Sequence, residues 1–153
     1  MSGRLTAQQL RVWQSFVLAG EAVRREVSRE LWSDAQLSEA DFTVLAELSL
    51  APENTMRSTE CARALDWDTG RLSHQLRRLE QRGLIRRGRG TPDDGRAAVV
   101  SLTGEGRTAY RKALGPHMRS AQRWFLDALA PEQLDHLEDI LTAVLEHVEN
   151  RSS

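Results

Sequence analysis

Apolar residues recur every three or four positions over the first part of the chain. Thr6 and Gln9 have the spacing of a capping box, which predicts that a helix begins there. The series that follows is Leu10, Trp13, Phe16, Val17, Gly20, Val23, Val27 and Leu31. This spacing predicts an amphipathic helix of about 25 residues. A helix of that length in a short chain often packs against a partner subunit.

Two shorter helices are predicted next. Ser38 and Asp41 begin the second helix, and the turn-forming residues 51–54 end it. Its inner face carries Phe42, Leu45 and Leu48. The third helix begins at Arg57 or Ser58 and ends at Leu65. It buries Cys61, Ala62 and Leu65.

The fourth helix is bounded by two end signals. Asp68 is a suitable N-cap, the helix continues to about Arg82, and Gly83 is a natural C-terminal stop. From Leu84 onward the apolar residues no longer recur every three or four positions. Residues 84–89 and 97–102 have the pattern of strands, and the segment 90–96 between them is rich in turn formers. We therefore predict a β-hairpin with a long tip.

Two helices complete the chain. Thr103 and Glu105 begin the fifth, which Gly115 and Pro116 are expected to kink or interrupt before it resumes as far as Leu129. Pro131 fits the first turn of the sixth helix. The predicted fold class is mainly α with a small β-hairpin wing. Helices three and four form a helix-turn-helix, and the hairpin makes it winged.

The distribution of charge along the chain indicates a function as well as a fold. Residues 71–89 hold seven arginines and one acid, Glu80, in a chain of net charge -1. A basic helix and strand in a nearly neutral chain are typical of a module that binds phosphates. Residues 127–149 hold seven acids and no Lys or Arg. Their negative charge offsets the positive charge of residues 71–89 in the net charge of the chain. A GC-rich genome would also explain why 20 of the 21 basic residues are Arg.

Composition limits the cellular setting. No apolar run approaches the roughly 20 residues that span a bilayer, and the first residues lack the apolar core of a signal peptide. The single cysteine, Cys61, cannot form an internal disulfide. We therefore expect a cytoplasmic protein with no membrane partner.

Three linked segments carry a family resemblance. They are Leu79-Glu80-Gln81-Arg82-Gly83-Leu84-Ile85, Asp94-Gly95-Arg96, and Val100-Ser101-Leu102-Thr103 with Gly106. They resemble the pattern L-E-x-x-G-L-[IV], D-x-R and V-x-L-T-x-x-G of the MarR family of bacterial transcriptional regulators. The order and length of the flanking helices extend the resemblance over nearly the whole chain.

The resemblance implies a homodimer that binds double-stranded DNA at a palindromic operator. Residues 1–36 and 104–150 would form the helical dimerisation region, and residues 37–103 the winged helix-turn-helix domain. Many members of the family bind a small molecule in a cleft between the two domains and then release the operator. No cofactor is implied.

A helical wheel divides the fourth helix into two faces. Leu72, Leu76 and Leu79 share a narrow arc that must face the core. The opposite side is expected to enter the major groove through its N-terminal half. The candidates for DNA contact are Gly70, Ser73, His74 and Arg77 on this side, Arg71 on its flank, and Thr69 near the helix start as a phosphate donor. The arginines suit guanine or phosphate, and Ser73 and His74 suit bases or phosphates. The alternative is a solvated charged face, with His74 as a bystander.

In the wing, the resemblance implies that Arg96 enters the minor groove, where a narrow A·T-rich groove attracts a guanidinium. Asp94 would fix the wing loop by pairing with an arginine. Arg87 and Arg89 are expected along the wing strand near the DNA backbone. Ser58 and Thr59, in the first turn of the third helix, are weaker phosphate candidates.

Five aromatic residues are candidates for a ligand pocket between the domains. They are Trp13, Phe16, Trp32, Phe42 and Tyr110. A small aromatic or amphipathic effector would suit such a pocket. Ordinary core packing is the alternative for each residue.

No other chemistry is indicated. No metal-ligand spacing relates Cys61 to the histidines or the histidines to one another; these are His74, His117, His136 and His147. No catalytic motif arranges Ser, His and Asp residues as a triad. We therefore expect neither a metal site nor an enzyme. Cys61 is expected to pack as a small buried residue and not to sense oxidants.

The alternative functions are a ligand-independent architectural DNA-binding protein and an interaction module whose Arg face binds an acidic protein.

Overall fold

The computed structural model describes residues 4–89 and 98–152. Within them the chain forms six α-helices and three β-strands. The helices are α1 (Ala7–Ala35), α2 (Glu39–Leu50), α3 (Ser58–Leu65), α4 (Thr69–Gln81), α5 (Gly104–Trp124) and α6 (Pro131–Ser152). The strands are β1 (Thr55–Arg57), β2 (Ile85–Arg89) and β3 (Ala98–Leu102). The predicted class, mainly α with a small β wing, is confirmed.

Short polar side chains define where the helices begin. Thr6 and Gln9 exchange hydrogen bonds of 2.9 and 3.1 Å ahead of α1. Ser38 and Asp41 form the predicted capping box at α2, with bonds of 2.9 and 3.0 Å. These bonds satisfy amide groups that the first helical turn leaves without partners. The predicted helix starts are therefore confirmed.

Two helices differ from the expectation. Helix α1 has 29 residues and ends where Gln36 adopts a left-handed conformation, with φ of 54°. For the fifth helix we predicted a kink or an interruption at Gly115 and Pro116; the interruption was wrong, and the kink stays a prediction. Helix α5 continues through Gly115 and Pro116 to Trp124, where a 3-10 turn at Leu126–Ala128 follows. Proline removes only the one amide donor that would bind four residues earlier, and the flanking turns keep the helix continuous.

The wing contains one strand more than predicted. The sheet order is β1-β3-β2, and both pairings are antiparallel. Ile85 lies opposite Leu102 and Thr55 lies opposite Ser101. The hydroxyls of Thr55 and Ser101 are 2.9 Å apart. Strand β1 leads directly into α3 and β2 follows α4, so β3 connects the two ends of the helix-turn-helix.

The described residues divide into two compact units. The first extends up to Val27 and from Met118 onward, and the second is Ser28–His117. The second unit contains one continuous core of side chains from its helices and strands. Its most deeply buried apolar residues are Leu37, Val44, Leu45, Leu48, Leu72, Leu76, Leu79 and Val100. In the first unit, by contrast, most of the large apolar residues of α1 and α6 are exposed. The division into a dimerisation region and a DNA-binding domain stays a prediction.

No described helix combines the length and the apolar content that crossing a bilayer would need.

Candidate nucleic-acid interface

Helix α4 has one buried and one exposed face, as the helical wheel predicts. Leu72, Leu76 and Leu79 are buried in the core. The predicted DNA candidates Thr69, Gly70, Arg71, Ser73, His74 and Arg77 are all exposed. The Asp68 side chain caps the helix by accepting a 2.8 Å hydrogen bond from the Arg71 amide. The core packing of one face therefore fixes the orientation of the other.

Gly70 has a local role that the sequence did not indicate. A Cβ atom added there would lie 3.2 Å from the Asp68 carboxylate oxygen that caps the helix. The absence of a side chain therefore leaves room for the cap. It also keeps the outer backbone of the first turn open.

Five of the predicted DNA candidates line one depression between α3, α4 and the wing. It has a volume of about 250 Å³. The candidates on its walls are Ser58, Thr59, Thr69, Ser73 and Arg87. The apolar floor comes from Ala62, Leu72, Leu76 and Ala98. Four hydroxyls and a guanidinium around a small concavity suit a phosphate group.

Arg87 is held by a carboxylate from α4. Its amide donates to Glu80 over 3.1 Å, and its guanidinium lies 3.1 Å from the same carboxylate. The hydrogen bond from the Arg87 side chain is the main reason that the pKa of Glu80 falls below its usual value. The only acid in the arginine-rich segment thus orients one of its arginines across the Gly83 turn.

Arg82 is a second arginine held by a carboxylate. Its guanidinium binds the Asp41 carboxylate at 3.0 Å and the Gln36 carbonyl at 2.6 Å. The Gln75 side chain, on the buried side of α4, also donates to Asp41. This polar network joins α4 to the end of α1 and the start of α2. Local patterns did not indicate this network, because Asp41 is 34 residues before Gln75 and 41 before Arg82.

The motif residues after the wing attach α5 to the end of α4. The Thr103 hydroxyl donates to the Gly83 carbonyl at 2.6 Å and accepts from the Gly106 amide at 3.0 Å. Gly106 is buried, and a Cβ there would lie 1.9 Å from the Leu84 carbonyl oxygen. Gly83 has φ of +72°, a conformation that favours glycine. A close backbone contact therefore requires glycine at 106, the left-handed conformation favours glycine at 83, and the Thr103 hydroxyl joins the two positions.

The wing candidates are only partly covered by the structure. Arg89 is exposed at the end of β2, where it pairs in register with Ala98. Asp94 and Arg96 lie outside the described residues. Their assignment to the wing loop stays a prediction.

Comparison with known proteins identifies the family. The family model described as transcriptional regulator SarA/Rot matches residues 26–112, more than half of the chain. Sco3205 from Streptomyces coelicolor, a MarR family transcriptional regulator solved in complex with DNA, is 31% identical, with a TM-score of 0.89. That match covers 96% of this chain and 91% of Sco3205. The chain belongs to the family of MarR and SarA/Rot transcriptional regulators.

Two further relatives agree with this assignment. AbsC from Streptomyces coelicolor, a MarR family regulator, is 29% identical with a TM-score of 0.89, and the match covers 97% of this chain and 99% of AbsC. An HTH-type transcriptional regulator of Bacillus cereus is 29% identical over 126 residues, 82% of each chain. This protein is therefore a winged-helix, DNA-binding transcriptional regulator. The prediction that it is not an enzyme is confirmed by its family.

The five aromatic pocket candidates of this MarR-family regulator fall into both compact units. In the first unit, the rings of Trp13 and Phe16 lie 6.0 Å apart, and both are exposed. In the second, the rings of Phe42 and Tyr110 are 5.3 Å apart and pack against the core. Trp32 is exposed in the second unit. A role in ligand binding stays a prediction for all five.

Two ionisable residues of the regulator lie in apolar surroundings. Burial raises the pKa of the Cys61 thiol to about 11, and the charge of Glu47 adds to this effect. Burial also lowers the pKa of His117, which the charge of Glu39 partly opposes. The His117 ring lies 4.4 Å from the ring of Phe42. In the described part of the chain, no three His, Cys, Asp or Glu residues gather as a metal site would require.

Proposed function

We propose that this protein is a homodimeric repressor that binds a palindromic operator and releases it when a small molecule binds. The observation that carries the proposal is the arrangement around α4. An exposed polar face lies beside a depression lined with hydroxyls and Arg87. Such a surface can bind bases and phosphates at the same time. Sco3205, the DNA-bound relative, supports the same class of partner.

Base contacts are assigned to the first half of α4. Arg71, His74 and Arg77 are exposed there, and each carries donors that suit acceptors in the major groove. The depression beside them would receive a backbone phosphate, with Ser58 and Thr59 on one wall and Ser73 on another. Phosphate contacts of this kind fix the register of a recognition helix without reading sequence.

The wing supplies the second contact with DNA. Arg89 is exposed at the end of β2. We assign Arg96 to the minor groove and Asp94 to the support of that loop, on the strength of the D-x-R motif. Removal of the Arg96 guanidinium should therefore weaken binding without affecting the fold.

Exposed apolar side chains support the homodimer. In the first unit, Trp13 and Phe16 on α1 are 58% and 57% exposed, and Leu145 and Val148 on α6 are 63% and 55% exposed. Apolar surface of this extent on a soluble chain is typical of an interface. A second copy is the occupant that the family resemblance implies. A two-fold dimer in turn matches a palindromic operator.

The effector part of the proposal depends on aromatic surface. Trp32, in the second unit, exposes about half of its area, which would suit a flat aromatic ligand. The test is titration with small aromatic acids and phenols against the operator complex. Release of DNA at ligand concentrations that leave the dimer intact would support the proposal. Unchanged DNA affinity would favour the ligand-independent alternative.

The DNA-binding part is tested with purified protein. Genomic fragments recovered by the protein are sequenced, and the palindrome that they share is compared with a scrambled duplex over a range of salt concentrations. We expect a preference of at least about 10³-fold and half-sites about one helical turn apart. Equal affinity for both duplexes would contradict specific repression and favour an architectural role.

Two variants sharpen this test. Arg96→Ala should weaken operator binding while sedimentation still shows a dimer. Glu146→Gln, on the acidic surface of α6, is the matched control and should bind as the wild type does. Loss of the dimer in Arg96→Ala would contradict the assignment of Arg96 to the wing.

A further inference from the structure

Trp67 lies in the turn of the helix-turn-helix, between α3 and α4. Its amide donates to the Ala62 carbonyl at 2.9 Å, and its side chain packs against the core of the second unit. Asp66, just before it, adopts a left-handed conformation with φ of 51° and ends α3. Backbone and side chain thus both hold the indole in place.

The Arg71 side chain stacks on this indole. The guanidinium carbon lies 4.0 Å from the centre of the Trp67 ring. An arginine over the face of a tryptophan is attracted by the negative potential of the ring. The Arg71 backbone is fixed as well, because its amide donates to the Asp68 cap. The exposed side chain at the start of α4 therefore has a defined position.

Three arginines around α4 are held in two different ways. Arg82 and Arg87 bind the carboxylates of Asp41 and Glu80 through their guanidinium nitrogens. The Arg71 guanidinium carbon lies 4.0 Å from the centre of the Trp67 ring, a distance at which a planar guanidinium packs with its face on an aromatic ring. Among the residues that the structure describes, no carboxylate pairs with Arg71. Stacking through the face leaves the N–H groups, which lie in the plane of the guanidinium, available to an acceptor.

We propose that Trp67 is a positioning residue that holds the Arg71 guanidinium ready for a bidentate contact with DNA. The inference rests on the proposed DNA contact of Arg71 and extends it. An arginine free in solution must give up rotamer freedom when it binds. An arginine already ordered by an indole gives up less, so the contact is tighter. The acceptor is a pair of oxygen or nitrogen atoms, supplied either by guanine O6 and N7 or by phosphate oxygens.

The test is a double-mutant cycle on the affinity for the recovered operator duplex. The variants are Trp67→Leu, Arg71→Ala and the double substitution. We expect Trp67→Leu to weaken binding about 2- to 12-fold when Arg71 is present, which is the cost of ordering one rotamer-rich side chain converted to affinity. In the Arg71→Ala background the same change should alter binding less than about twofold. A purely structural role of Trp67 would weaken binding equally in both backgrounds and would overturn the proposal.

A second cycle provides the matched control. Arg77 is also exposed on α4 but does not stack on Trp67. Trp67→Leu and Arg77→Ala should therefore act additively. Coupling of the same size with Arg77 would show that Trp67 acts on the whole helix, and this too would overturn the proposal.

Conservative variants keep the test valid if Trp67→Leu fails to fold. Trp67→Phe retains an aromatic face and should recover most of the affinity, whereas Arg71→Lys retains charge without a planar face and should not. Nuclear magnetic resonance of the free protein gives a direct readout. The Arg71 side-chain N–H signal should show a ring-current shift that Trp67→Leu or Trp67→Phe changes. An unshifted signal in the wild type would contradict the stack.

The source of the acceptor is separated with modified DNA. If Arg71 reads a guanine, 7-deazaguanine at one half-site position should weaken the wild type and leave Arg71→Ala unaffected. If it binds a phosphate, Arg71→Ala should weaken binding to all duplexes alike. It should also lower the slope of log affinity against log salt concentration by about one. Failure of the wild type to prefer the operator would refute the proposed function. Specific binding with an additive Trp67–Arg71 cycle would refute only the positioning role.

Discussion

The Arg82 guanidinium lies 3.0 Å from the Asp41 carboxylate, which is fully buried at the start of α2. About a third of the Arg82 side chain remains exposed. The pair connects the end of α4 to α2, which packs behind it. Its hydrogen bonds, with that of Gln75, satisfy a charge that would otherwise be costly to bury.

Arg82→Ala should therefore destabilise the protein, because it leaves the Asp41 carboxylate buried with fewer partners. We expect the free energy of unfolding to fall by about 2–3 kcal/mol, below the full range for a buried pair because Arg82 is partly exposed. Urea denaturation followed by circular dichroism measures this change. Arg78→Ala, at an exposed position of α4, is the control and should change stability by less than about 0.5 kcal/mol. Equal effects of the two variants would contradict a structural role for Arg82.

Gly106→Ala should also be strongly destabilising. An added Cβ would lie 1.9 Å from the Leu84 carbonyl oxygen, so the backbone of the wing or of α5 must shift. Overpacking of this kind costs about 1–3 kcal/mol, and contact with backbone places it at the upper end. Thermal unfolding of Gly106→Ala and Gly104→Ala compares a crowded glycine with an open one, since nothing lies within 4 Å of a Cβ at Gly104. A melting temperature lowered equally in both would disprove the packing argument.

Cys61 should be chemically inert in the folded protein. It is fully buried, and burial raises the pKa of its thiol to about 11. Only about one thiol in 10⁴ is then ionised at pH 7, and the thiolate is the reactive form. Labelling with iodoacetamide should be slow in the native protein and rapid in urea. Peroxide should leave operator binding unchanged, and rapid native labelling would refute this prediction.

His117 should make stability fall under mildly acidic conditions. Burial lowers its pKa below the ordinary value of 6.5, so the folded state favours the neutral ring. Above pH 6.5 the ring is neutral in both states and contributes no pH dependence. As the pH falls below 6.5, the unfolded chain binds the proton first, and the stability of the folded state decreases until the pH passes the folded pKa.

The measurement is the free energy of unfolding between pH 5 and pH 8 for the wild type and for His117→Gln. The difference between the two curves should bend near pH 6.5 and slope below it. A difference curve for His117→Gln that is flat across this range would argue against burial of the neutral ring.

The helices were predictable because local signals specify them. Capping residues such as Ser38 and Asp68 act within three positions along the chain, and the leucine spacing of α4 identifies its buried face. Strand β1 was missed because three residues, Thr55–Arg57, are too short to show a period of two. Its pairing with β3 is a contact made 46 residues away. Pro116 misled the prediction, because one missing donor does not outweigh the turns on both sides of it.

The candidate site shows the same division between local and distant information. The outward face of α4 followed from helical geometry alone, and the structure places its residues there. The roles of Arg82 and Arg87 did not follow, since their carboxylate partners depend on the tertiary fold and on the turn at Gly83. The stack of Arg71 on Trp67 had one available signal, a spacing of four residues. That spacing is informative only within a helix, and Trp67 precedes α4.

The pairing of β3 with both β1 and β2 affects the order in which the chain folds while it is being synthesised. The strands on either side of the helix-turn-helix, β1 and β2, both pair with β3, which follows α4 in sequence. A nascent chain that has emerged from the ribosome only up to Arg89 contains α4 and β2. It still lacks β3, the strand that pairs with both β1 and β2. Closing that loop requires contacts distant in sequence, which form late. The sheet that joins the two flanks of the helix-turn-helix is therefore complete only after Leu102 has emerged, and fragments that end earlier should not bind an operator.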